Sequence, residues 1–181
     1  MRLVRLAMPA DEFDVLKLDN QICFPLYAAS RLIVQAYRPH LDRLGITYSQ
    51  YLTLMVLWEK DGSTVSQIGE RLVLDSGTLT PVLKRLASDG LIDRIRNDVD
   101  DRVVENWLTR RGRALKRRAV GIPTQLLCST SVDLEEVGRL KQALTPVLEK
   151  LIAHQLVPAT PPRPPRSSAG RRKRAPDALL E

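Results

Sequence analysis

The chain has 181 residues, 44% of them apolar, and a formal net charge of +7. That length suits one domain with a sizeable core and an appended tail, and the absence of any run of eighteen apolar residues excludes a membrane-spanning helix. Six basic and two acidic residues lie from Val157 onward, which leaves +3 on residues 1–156, so any nucleic-acid footprint on the folded part is local rather than global.

Residues 1–14 read as a loose arm. Arg2 and Arg5 stand there without a continuous apolar segment or a small-residue cleavage site, the pattern of a chain that carries no signal peptide and stays in the cytoplasm. An amphipathic helix follows, capped by Asp19 or Asn20, with Phe24, Tyr27, Val34 and Leu41 on its apolar face. Pro25 is tolerated only in a first turn, so the helix should begin near Asn20 to Ile22, with Cys23 inside that turn. Pro39 and Gly45 are expected to end it. Thr47-Tyr-Ser-Gln50 and Thr64-Val-Ser-Gln67 are capping boxes that start the next two helices. Asp75-Ser76-Gly77 reads as a tight turn. Leu79, Val82, Leu83 and Leu86 then mark a further helix, ended by Gly90; Pro81 means that it either starts as late as Thr78 or is kinked.

Two β-like runs, Leu91–Ile95 and Arg102–Leu108, flank a solvated tip and predict a hairpin. Thr109 caps a long helix that Pro123 should bend, and Asp133-Leu-Glu-Glu136 starts a last long one. From Pro158 the chain is rich in Pro, Ser and Arg and is expected to be disordered. Its Arg171-Arg-Lys-Arg174 run either adds a sequence-blind phosphate contact or serves as a solvated tail.

This order predicts a mainly α fold with a small β-hairpin wing: a winged helix-turn-helix. The apolar stripes of the terminal helices are too generous for a small DNA-binding lobe, so a second copy of the chain should cover them. The expected organisation is an arm over 1–14, a domain over 15–156 and a basic tail over 157–181. Within the domain, dimerisation helices run over about 18–44 and 110–156 around a DNA-binding lobe at about 47–109. Ser76, Thr78 and Thr80 crowd the N-terminal end of the candidate recognition helix, and Lys84 and Arg85 suit phosphate contact. On the wing, Arg94, Arg96 and Arg102 are placed to enter a narrow minor groove, with Asp100 holding Arg102 extended. Double-stranded operator DNA is the partner that these residues fit.

Cys23 and Cys128 form no CxxC pair, and His40 and His154 are the only histidines, so neither a metal site nor a cofactor is expected. In a reducing cytosol the two thiols are either buried and inert or redox-active. A thiol in the first turn of a helix faces the positive end of the macrodipole, which favours thiolate. Tyr27 is one turn beyond Cys23 on the same face. Tyr37 is fourteen residues on, about 21 Å along a helix, and reaches Cys23 only from a folded-back segment or from a second subunit.

The run Leu18-Asp19-Asn20-Gln21-Ile22-Cys23-Phe24, the segment Leu26-Tyr27-Ala28-Ala29-Ser30-Arg31, and Leu74-Asp75-Ser76-Gly77-Thr78-Leu79-Thr80-Pro81 together resemble the organic-hydroperoxide-responsive branch of the MarR repressors. So do Tyr48-x-x-Tyr51-Leu52 and Asp100-Asp101-Arg102 ahead of Leu108-Thr109-x-x-Gly112, and the likeness covers about residues 14–155. The resemblance implies a homodimeric repressor, not an enzyme, in which Cys23 senses an organic hydroperoxide and Tyr27, Tyr37 and Tyr48 support its thiolate. It also implies that Cys128 resolves the oxidised sulfur by a disulfide to the other subunit. Pro25 and the pair Asn106-Trp107 depart from the branch's pattern. A regulator switched by an aromatic ligand in a dimer cleft, a thiol peroxidase and an architectural DNA protein are the other readings. The lack of a catalytic Arg or CxxC near Cys23 counts against the peroxidase, and the mild charge of residues 1–156 against the architectural protein.

Overall fold

A computed structural model of the chain describes residues 14, 16–97, 100, 103–130 and 132–154. The expected arm up to residue 13, the basic tail and Arg102 lie outside the described residues. Local capping decides most helix starts. Thr47 accepts from the Gln50 backbone while its own N–H donates to Gln50 Oε1 (2.7 Å), opening α2 (Tyr48–Glu59). Thr64 and Gln67 do the same for α3 (Val65–Leu72), and Asp133 and Glu136 for α7 (Leu134–Ala153). Each box satisfies two amide donors that helix geometry leaves unpaired.

Helix α1 (Cys23–Asp42) starts later than expected. Leu18–Asn20 form a separate 3-10 turn and Gln21 is extended, so neither Asp19 nor Asn20 caps it. Pro25 still falls in the first turn. Pro39 does not end the helix, which runs on to Asp42; the ring costs only the bond to the Gln35 carbonyl near the helix end. Helix α4 (Ser76–Ser88) begins at Ser76, with Asp75 as its cap and Pro81 inside it. Ser76 and Gly77 are therefore helical rather than part of a tight turn. The turn between α3 and α4 is instead Val73–Asp75, with Val73 left-handed (φ 55°) and Leu74 N–H bonded to the Gly69 carbonyl. A Cβ on Gly69 would stand 2.7 Å from the Leu74 carbonyl oxygen, so this close turn needs glycine there.

The hairpin forms as β2 (Ile92–Arg96) and β3 (Val104–Leu108), with Ile92 opposite Leu108 and Arg94 opposite Asn106. Strand β1 (Ser63–Thr64), not anticipated, adds to β3 in the antiparallel order β1-β3-β2. This extra edge explains Asn106, which is fully buried and donates from Nδ2 to the Ser63 carbonyl (2.9 Å). Trp107, on the other face, covers Gly62, where any Cβ would come within 2.6 Å of the indole. The long bent helix expected after the hairpin is two helices, α5 (Arg110–Ala119) and α6 (Ile122–Ser129). They separate at Val120–Gly121 because Pro123 fits only the opening of a new helix.

The core gathers Leu54 and Leu57 of α2, Ile68 of α3, Leu79, Leu83 and Leu86 of α4, Ile92 and Leu108 of the hairpin, and Leu115 of α5. Helix α7 buries no residue and α1 buries only Leu41. Helix α5 seats directly on the start of β2: a Cβ on Gly112 would collide with the Leu91 carbonyl oxygen and come within 3.2 Å of Leu108. Gly112→Ala is therefore expected to destabilise the fold by about 1–3 kcal/mol, read as a lower urea midpoint at unchanged slope. An unchanged midpoint would mean that α5 does not pack against Leu91.

Candidate nucleic-acid interface and thiol site

Burying Leu79, Leu83 and Leu86 turns the opposite side of α4 outward. Ser76, Thr78, Lys84 and Arg85 are exposed and Thr80 is half-buried. The Thr78 hydroxyl donates to Asp75 Oδ2 (2.7 Å), and the Thr80 hydroxyl to the Ser76 carbonyl (2.6 Å), so both threonines hold fixed rotamers at the helix start. Arg85 pairs with Asp89 (3.2 Å) across one turn, while Lys84 makes no ion pair among the described residues. Strand β2 of the wing packs against α4. Arg96 is exposed; Arg94 is half-buried. Arg94 Nε and its cross-strand neighbour Asn106 Oδ1 are both buried and lack hydrogen-bond partners among the described residues. Asp100 is exposed and its N–H donates to Asn97 Oδ1 (3.2 Å).

The thiols are both exposed and free. Cys23 is the first residue of α1, where backbone N–H groups lack helical acceptors and the macrodipole is positive. Tyr27, one turn on, is 61% exposed and lies under the Arg31 guanidinium, 5.6 Å from the ring centroid. Arg31 stood in the sequence as a member of the helical stripe and of the motif, with no role assigned to it. Because α1 is continuous from Cys23 to Asp42, Tyr37 stays about 21 Å along the axis from Cys23 in its own chain. It packs instead with Tyr48 (5.2 Å between centroids) and Tyr51 (5.8 Å), and Tyr51 meets Trp58 edge-on at 6.1 Å. Tyr51 is the cluster member that the sequence presented only as a motif residue. Burial pushes the phenols of Tyr37, Tyr48 and Tyr51 above the usual tyrosine range, so at neutral pH all three are protonated donors. Tyr48 also lines a cleft of about 750 Å³ with Ser30, Arg31, Val34, Arg38 and Thr47. Cys128 stands on the last turn of α6. Among the described residues, no group of three His, Cys, Asp or Glu side chains could hold a metal ion.

Comparison with known proteins gives a consistent set. The MarR family profile matches residues 46–104. The organic hydroperoxide resistance transcriptional regulator of Bacillus subtilis (strain 168) is 50% identical over 141 residues, 78% of this chain and 96% of the relative. Reduced AbfR bound to DNA superposes with a TM-score of 0.63 at 38% identity, covering 75% of this chain and 95% of that one; AbfR is a protein of Staphylococcus epidermidis. Disulfide-formed AbfR superposes with a TM-score of 0.54, also at 38% identity, over 77% of this chain and 92% of that one.

The tyrosine cluster carries a pH signature. Phenols with folded pKa values above the ordinary value of about 10 contribute stability that is fully present below pH 10. That stability is lost as pH rises through the folded values, because the unfolded chain ionises first. Tyr37→Phe and Tyr48→Phe should therefore lose less stability than wild type between about pH 10 and 11 in denaturant titrations. Equal slopes would mean that the phenols are not desolvated.

Proposed function

We propose, from the premise that this chain belongs to the MarR family, that it is a homodimeric repressor released from its operator when Cys23 is oxidised by an organic hydroperoxide. A member of this family is a DNA-binding regulator rather than an enzyme, and acting on operator DNA puts it in the cytoplasm. The observation that carries the redox reading is the exposed, free Cys23 thiol at the first position of a 20-residue helix.

The tyrosines and the apolar faces support the dimer. Tyr37 and Tyr48 do not reach Cys23 within one chain, so their support for the thiolate comes from the partner subunit. Ile22, Leu32 and Ile33 on or beside α1, and Leu140, Leu148 and Leu151 on α7, are exposed in the single chain. A second copy buries that surface. In this reading Ser76, Thr78 and Thr80 meet base edges, Lys84 and Arg85 meet phosphates, and Arg94 and Arg102 enter the minor groove with Asp100 steadying Arg102.

The chemistry is balanced. Cys23 thiolate attacks one peroxide oxygen, the O–O bond breaks, and the alcohol leaves with a proton. The sulfur, oxidised by two electrons, keeps the oxygen it attacked as a sulfenic acid. The thiol of the partner's Cys128 attacks that sulfur, and water leaves as the disulfide forms. Drawing the two thiol-bearing helices together shifts the recognition helices from their spacing of about 34 Å. AbfR has been described both reduced on DNA and in a disulfide form, which are the two end states that this cycle requires. The apolar neighbours Ile22, Phe24 and Leu26 favour an organic hydroperoxide over hydrogen peroxide.

Fluorescence anisotropy on the chain's own upstream DNA tests the switch. A stoichiometric organic hydroperoxide should weaken wild-type binding about tenfold or more, leave Cys23→Ser unaffected, and be reversed by thiol reductant. Release of Cys23→Ser to the same extent would overturn the thiol reading in favour of a ligand in the Tyr48 cleft. For the dimer, Leu148→Glu with Leu151→Glu should halve the sedimenting mass; an unchanged mass would remove α7 from the interface.

A further inference from the structure

Helix α5 carries six cations in ten residues: Arg110, Arg111, Arg113, Lys116, Arg117 and Arg118. They are not one solvated face. Arg111 Nη1 donates to the Asp89 carbonyl (3.0 Å), the C-cap of α4. Lys116 Nζ donates to the Trp58 carbonyl (3.1 Å) in the last turn of α2. Arg118 Nη2 donates to the Arg43 carbonyl (3.1 Å), the C-cap of α1. Three cations of one helix thus meet carbonyls at the C-terminal ends of three others, where acceptors are unpaired and the dipole is negative. Arg113 pairs with Asp61 (2.8 Å), whose second oxygen accepts from Leu108 N–H at the end of the wing. The Trp58 indole donates back to the Gly112 carbonyl (3.1 Å). Arg110 and Arg117 make no hydrogen bond or ion pair among the described residues, so each is an internal control.

Arg111 and Arg118 are seven residues apart, two turns along one side of α5, or about 10 Å. One grips the end of the candidate recognition helix; the other grips the end of the helix that begins at Cys23. We propose that Arg111 and Arg118 are positioning residues that make α5 a strut between α1 and α4, so that a displacement of α1 is passed to α4 instead of being absorbed in the loops. The consequence for DNA rests on the reading above that α4 meets the operator; the mechanical coupling does not. Both contacts are solvent-exposed, so each adds little to global stability.

The test uses the full chain with Arg111→Met, Arg118→Met, Arg118→Lys and the control Arg117→Met. Amide hydrogen exchange in free protein reads the coupling. Arg118→Met touches only the α1 end, yet it should raise exchange severalfold in the last turn of α4 as well. Arg111→Met should do the converse, Arg118→Lys should restore most protection, and Arg117→Met should match wild type. On upstream DNA, the penalty for inserting one base pair between half-sites should fall at least threefold in Arg111→Met and Arg118→Met. Changes confined to the mutated end, or both variants behaving as Arg117→Met, would overturn the strut. If wild type fails to bind its upstream DNA, the proposed function falls, and the exchange result alone decides for or against the strut.

Discussion

The packing of Leu79, Leu83 and Leu86 beneath α2 and α3 governs what the rest of the molecule presents. These three leucines, at i, i+4 and i+7, are fully buried, so α4 has one rotational setting. That setting turns Ser76, Thr78 and Lys84 outward and brings the Asp89 carbonyl within reach of Arg111. The Gly69–Leu74 approach and the left-handed Val73 then fix how closely α3 and α4 join. Moving any of these contacts would swing the candidate DNA-reading side chains together, not one by one.

The terminal helices obey the opposite logic. They are long and amphipathic, yet among the described residues α1 buries only Leu41 and α7 buries none. The single chain is therefore incomplete as a packing problem. The proposed thiol site divides in the same way: Tyr27 is one turn from Cys23, whereas Tyr37 and Tyr48 gather with Tyr51 far along α1. In the proposed homodimer, a second copy covers the apolar faces and supplies the tyrosines through one interface, because the same helices carry both.

Between these two parts lies α5. Gly112 lets its backbone touch Leu91, and Trp58 and Lys116 exchange bonds across to α2. A cationic helix in this position does more than solvate: it supplies donors to carbonyl ends that would otherwise rely on water. The break at Val120–Gly121 limits this strut to α5 and leaves α6, with Cys128, as a separate short helix.

Local chemistry was legible in the sequence. The capping boxes at Thr47, Thr64 and Asp133, the cap at Thr109, the hairpin, the outward residues of α4 and the position of Cys23 in a first turn all depend on residues within a few positions of one another. The run around Cys23, together with the α4 and wing motifs, likewise carried the family likeness. What needed tertiary structure depends on partners distant in the chain. Pro39 and Pro81 sit inside helices because surrounding packing outweighs one lost hydrogen bond. Strand β1 is two residues long and exists only because β3 lies beside it. Asn106 reads as a flaw in a wing strand until Ser63, 43 residues away, accepts its amide. The α5 cations read as a charged surface until the ends of α1, α2 and α4 meet them. The sequence alone determined where most helices are capped and which residues are candidates for the chemistry; only the folded chain decided the helix bounds and which side chains touch, because those contacts span dozens of residues and leave no periodic trace.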